Sequence, residues 1–142
     1  MQRLTLAEVE YVAHALAQEV LRWNEPIPDF RTRFPGRLES CLAAPFQTFN
    51  KKQLYGGLIK KSAILFYLMT KNHPFQNGNK RVAMTTLLYF LSKNGKTIRV
   101  DQHELYNFSK WVAESNPKLK REVVVAVEVF IQKHIISVLG TR

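Results

Sequence analysis

The chain has 142 residues, 46% of them hydrophobic, with 21 Lys and Arg against 11 Asp and Glu for a formal net charge of +10. That is enough chain for one hydrophobic core and too much apolar content for a disordered segment, while runs such as residues 64–69 and 123–127 are far too short to cross a bilayer. The positive excess favours acidic partners, whether nucleotide, nucleic acid or protein.

The first residues, Met1-Gln2-Arg3-Leu4-Thr5, lead into a charged amphipathic pattern without the apolar core of a signal peptide, so a cytoplasmic protein is expected. Leu4-Thr5-Leu6-Ala7-Glu8-Val9 predicts a helix start, with Thr5 as N-cap, Glu8 closing a capping box and Leu4 stapled to Val9. Val9, Val12, Ala13, Leu16 and Val20 recur at helical spacing, which extends that helix to about Trp23 and leaves His14 as an ordinary boundary histidine. The prolines of Asn24-Glu25-Pro26-Ile27-Pro28-Asp29 end it. Pro35 and Gly36 open a short helix through about Ala44, containing the single cysteine, Cys41, which reads as a small buried apolar residue, and Pro45 stops it. Phe46-Gln47-Thr48-Phe49 alternates apolar and polar residues before the polar Asn50-Lys51-Lys52. A small β-hairpin and a surface loop both fit, and periodicity alone favours the loop.

From Gln53 to Thr70, Leu54, Leu58, Ser62, Leu65 and Met69 follow helical steps, with Lys60 and Lys61 outside. The next helix, about Asn79 to Asn94, is apolar nearly all round and belongs in the middle of a bundle. Gly95 is a left-handed C-cap and Thr97 to Val100 an extended connection. Asp101-Gln102-His103-Glu104 caps a further helix to about Glu114, whose Tyr106, Phe108 and Trp111 read as packing residues, so direct nucleic-acid binding is not expected. Pro117 suits the first position of the last helix, where Val124, Val127, Ile131, Ile135 and Val138 keep helical steps despite a valine-rich composition that favours strand. The sum is an all-α single domain of about six helices with one possible flap and no sheet core.

Between the two central helices lies His73-Pro74-Phe75-Gln76-Asn77-Gly78-Asn79-Lys80-Arg81. Pro74 disfavours helical geometry at His73, and Asn77 and Gly78 suit the cap of the helix that follows. Backbone N–H groups, the positive end of the helix dipole, Lys80 and Arg81 then gather at one place, a cradle for an anion such as phosphate. Without a bound anion, two cations in a first turn are locally unfavourable. His73 is the nearby group able to take a proton near neutral pH and is the candidate general base. Phe75 anchors the loop, Gly78 permits close backbone approach, Asn79 can donate its amide to a phosphate oxygen, and Arg81 can hold two phosphate oxygens at once.

The pattern His73-x-Phe75-x-x-Gly78-Asn79-x-Arg81 resembles the signature of the Fic/Doc family, with Lys80 placed as in its Doc branch. Gly36-Arg37-Leu38-Glu39-Ser40, Pro45-Phe46-Gln47-Thr48-Phe49 and Phe90-Leu91-Ser92-Lys93-Asn94-Gly95 are similar to further segments of Doc-like proteins. The resemblance implies a Fic/Doc-type bundle of about six helices with a small β-hairpin flap. In it, Phe46, Gln47, Thr48 and Phe49 would dock the backbone of a target protein by strand addition. It implies ATP and Mg²⁺ as cofactors, His73 as catalytic base, and Asn77, Gly78, Asn79, Lys80 and Arg81 as the nucleotide-phosphate site. Lys80 stands where AMP-transferring relatives carry glycine, and Met84 where Fic enzymes carry a second arginine. Both imply transfer of the terminal phosphate to a protein hydroxyl, with a translation elongation factor as target; transfer of AMP is the alternative. A small acidic antitoxin is the implied partner. Asn77 stands where the family usually carries Asp or Glu to hold Mg²⁺, and an uncharged amide is a weaker ligand for that hard cation, so a catalytically degenerate member is a further alternative.

Overall fold

Thr5 opens the first helix as its sequence predicts: its hydroxyl accepts from the Glu8 N–H at 3.2 Å, and the Glu8 carboxylate accepts from the Thr5 N–H at 2.9 Å. Leu4 and Val9 are both buried on either side of that cap. The structure is a computed structural model that describes residues 1–20, 23 and 29–138, apart from the side chains of 12–14 and 18–20. The expected helix end near Trp23, the turn at 24–28 and the side chains of Val12, Ala13, His14 and Val20 therefore fall outside the described residues. The helix has an interruption that its periodicity does not announce: α1 (Leu6–Glu8) passes through a π-helical segment (Val9–His14) before α2 (Ala15–Val20).

Helix α3 (Arg37–Ala43) starts at Gly36 and buries Leu38 and Cys41, while Pro45 lies inside a 3₁₀ turn (Ala44–Phe46) that prolongs the helix rather than breaking it. The stretch that follows is a hairpin and not the loop that periodicity favours. β1 (Thr48–Phe49) pairs antiparallel with β2 (Lys52–Gln53), Thr48 opposite Gln53 and Phe49 opposite Lys52. Asn50 and Lys51 join them with φ of 52° and 64°, the two positive values that a tight hairpin turn of this hand requires.

Helices α4 (Gly57–Lys71) and α5 (Asn79–Lys93) form the centre of the molecule, packed on each other, with α7 (Lys120–His134) against α4. Helix α4 begins at Gly57 rather than Gln53, because Gln53 is committed to β2 and Leu54 is left exposed. Its buried face is broader than expected and includes Lys61, only 3% exposed, which corrects the expectation that Lys61 lies outside. Val82, Ala83, Met84, Leu87, Phe90 and Leu91 of α5 are buried, as an all-round apolar helix should be.

A second two-stranded ribbon replaces the expected extended connection. β3 (Lys96–Ile98) pairs antiparallel with β4 (Ile135–Ser137), so the chain leaves helical geometry after His134 and the helical steps at Ile135 and Val138 do not continue α7. Between these strands lie α6 (Gln102–Glu114), capped by Asp101 accepting from the Glu104 N–H at 2.9 Å, and a 3₁₀ turn (Pro117–Leu119) that leads into α7. The class is all-α, with two small ribbons at its surface. Among the described residues no helix is long and apolar enough to cross a membrane.

Candidate active site

The site begins where α4 ends. The Asn72 N–H still bonds the Leu68 carbonyl at 2.9 Å, but His73 turns into the left-handed region at φ 47°. Pro74 explains the departure from helix, since its ring clashes with a preceding residue in αR. A left-handed histidine costs about 1–2 kcal/mol. The surrounding segment holds it there: the Arg37 guanidinium donates to the His73 carbonyl at 3.3 Å, and the Phe34 N–H donates to the Pro74 carbonyl at 2.9 Å. Phe75 is fully buried, its ring 5.9 Å from that of Phe30.

Asn79 closes the loop from the other side. Its Oδ1 accepts from the Phe75 N–H at 3.0 Å and its Nδ2 donates to the Phe75 carbonyl at 2.8 Å. The side chain thus clamps the loop backbone, which corrects the expectation that its amide is presented to phosphate. Those two bonds also fix which way the amide faces, so Nδ2, 3.4 Å from His73 Nδ1, brings a hydrogen toward that ring nitrogen.

Gly78 is the N-cap of α5 with φ 71°, a conformation that other residues resist, and its carbonyl accepts from the Val82 N–H at 3.0 Å. Asn77 beside it is exposed, and the first turn of α5 contains no acidic residue. Lys80 and Arg81 occupy that turn, both half-buried. Arg81 Nε donates to the Ala17 carbonyl at 2.6 Å, which ties the start of α5 to α2. Arg81 is therefore at least partly a strut.

His73 is exposed and also lines a cleft of about 530 Å³ with Pro35, Gly36, Arg37, Ser40, Lys71 and Asn72. Arg37 stacks over Phe34 at 4.4 Å, and Lys71 Nζ donates to the carbonyls of Ala113 and Ser115 at 3.1 and 2.5 Å. Two cations thus flank the histidine that the sequence reading gave no role. Arg37 reaches His73 across 36 positions of chain, a contact with no local signature.

The stretch expected to dock a target divides in two. Phe46 belongs to the 3₁₀ turn and packs edge-on against Phe90 at 6.1 Å, so it anchors rather than docks. Gln47 is exposed, and its carbonyl closes the hairpin by accepting from the Leu54 N–H at 3.1 Å. Thr48 and Phe49 are exposed on β1, Phe49 to 67%. Among the described residues no group of three or more His, Cys, Asp or Glu is placed to hold a metal ion.

A sequence model described as the Fic/DOC family matches residues 3–91. A curated relative, "Toxin Doc" of Mycolicibacterium smegmatis (strain ATCC 700084 / mc(2)155), is 32% identical over 73 residues, covering 51% of this chain and 56% of the relative. The match thus spans little more than half the length of that relative. No solved structure matches the chain.

Proposed function

The chain belongs to the Fic/Doc family, and on that premise we propose that it is a Doc-like toxin that transfers the terminal phosphate of ATP to a hydroxyl of a target protein. The expected target is a translation elongation factor, and the expected partner an acidic antitoxin, which a net charge of +10 would attract. One observation carries the reading: His73 Nδ1 lies 3.4 Å from Asn79, the first residue of α5, so a proton acceptor and an anion-favouring helix start share one short loop.

In this reading the target hydroxyl gives its proton to the His73 imidazole. The hydroxyl oxygen bonds the terminal phosphorus, the bond from that phosphorus to the bridging oxygen breaks, and ADP leaves with the electron pair. A positioned base of this kind contributes about 10² to 10⁴ in rate. The nucleotide phosphates would lie over the start of α5, where Gly78 has no side chain to obstruct them and Lys80 and Arg81 add positive charge.

The residues present do not make a protein cage for Mg²⁺. Asn77 offers one neutral oxygen, and the described residues contain no metal-binding cluster, so the ion would depend on the nucleotide's own phosphates. The same observation favours a second reading, a degenerate member that has lost turnover.

The test is ATP labelled at the γ or the α phosphate, incubated with the chain and an elongation factor. Label from the γ position on the factor, abolished by His73→Ala, supports the proposal. Label from the α position replaces it with AMP transfer. Activity that appears only in Asn77→Asp supports the degenerate reading.

A further inference from the structure

Lys61 sits in the second turn of α4 with 3% of its surface exposed, and among the described residues no carboxylate is paired with it. Burying an ammonium without a counter-charge is costly unless hydrogen bonds replace the lost water. Burial, aided by the positive charge of Arg3, pushes its pKa below the ordinary lysine value. An apolar side chain would fill the space at less cost, so the contacts made by the ammonium matter.

Those contacts bracket the hairpin. Lys61 Nζ donates to Gln53 Oε1 at 2.5 Å and to the Tyr55 carbonyl, and it lies 5.5 Å from the centre of the Phe46 ring. Phe46 precedes β1, Gln53 ends β2, and Tyr55 follows it. The hairpin needs such support: it has two residues per strand, its turn holds Asn50 and Lys51 at positive φ, and two strands alone are marginal in water. We propose that Lys61 is a positioning residue, fixing the β1–β2 hairpin against α4, the helix that also delivers His73, so that the exposed edge at Thr48 and Phe49 is held ready for a target backbone. The proposal rests on the reading of the hairpin as a docking edge.

Two measurements on the full chain test it. In Lys61→Met, which removes both hydrogen bonds from the charged donor, amide hydrogen exchange over residues 47–54 should rise at least about tenfold, while α4 and α5 keep their protection. Gln53→Ala, at an exposed position, should reproduce part of that rise. Unchanged exchange in the hairpin, or a rise shared equally by α4 and α5, overturns the anchor. In the kinetic arm, Lys61→Met should raise KM for the protein target about tenfold and leave KM for ATP as in the wild type; an equal rise in both overturns the positioning role. A wild type inactive with ATP would instead sink the preceding functional reading, and the exchange result would still decide whether Lys61 anchors the hairpin.

Discussion

Asn79 carries more of the loop than its residue type suggests, because three atoms of the segment converge on one amide. Asn79→Ala would strand the N–H and carbonyl of buried Phe75 and should cost about 2 kcal/mol, read as a lower midpoint in urea unfolding. Cys41 offers a pH test at the same scale. Burial pushes its thiol from an ordinary 9.0 up to about 11, so between those values the unfolded chain has released the proton and the folded chain has not. The stabilisation is complete below pH 9 and is lost as pH rises through 11, amounting to roughly 2–3 kcal/mol. Unfolding midpoints that fall over that interval in the wild type and stay flatter in Cys41→Ala would bear this out. The loop was legible from sequence because Pro74 turns His73 out of the right-handed helix and Gly78 accepts a positive φ, although His73 takes a left-handed rather than the extended conformation that a following proline favours. Lys61 was not. Next to Lys60 it resembled half of a solvated pair, and only the fold shows it turned inward onto the hairpin.

Helix ends and ribbons show the same contrast between local and distant causes. The capping box at Thr5 was readable because its partners are three residues apart, and the helix it starts is further tied to α5 by Glu8 and Lys93 at 2.7 Å. Burial alone would raise the Glu8 carboxyl, but hydrogen bonds from Lys93 and Thr5 together outweigh it and hold its pKa below the ordinary 4.5. That contribution is present above pH 4.5 and fades as pH falls. Glu8→Gln should therefore lower stability near pH 7 by no more than about 1 kcal/mol and change little at pH 3, as thermal melts at the two pH values would show. The β1–β2 hairpin escaped periodicity because two residues per strand are too few to establish alternation. Strands β3 and β4 escaped it for another reason: Thr97 pairs with Ile136 across nearly the whole C-terminal third, and no local pattern records such a partner. Ile135 kept step with the α7 stripe by coincidence, and the ladder to β3 outweighed it.

Across the whole molecule, the class was readable because two long apolar helices, α4 and α5, have nowhere to go but the centre of a bundle, and the loop joining them is the candidate site. If the proposed acidic antitoxin is the partner, the excess of basic residues predicts that their association weakens as salt rises, since screening shortens the reach of exposed charges. A salt-independent affinity, measured by calorimetry, would mean that apolar contact governs the pairing. The central claim is that His73 and the start of α5 form one phosphate-transferring site. The mass of an elongation factor after incubation with ATP and the chain tests it most directly: the account predicts the gain of one phosphate with the wild type and none with His73→Ala, and a gain of AMP, or the same product from His73→Ala, would contradict it.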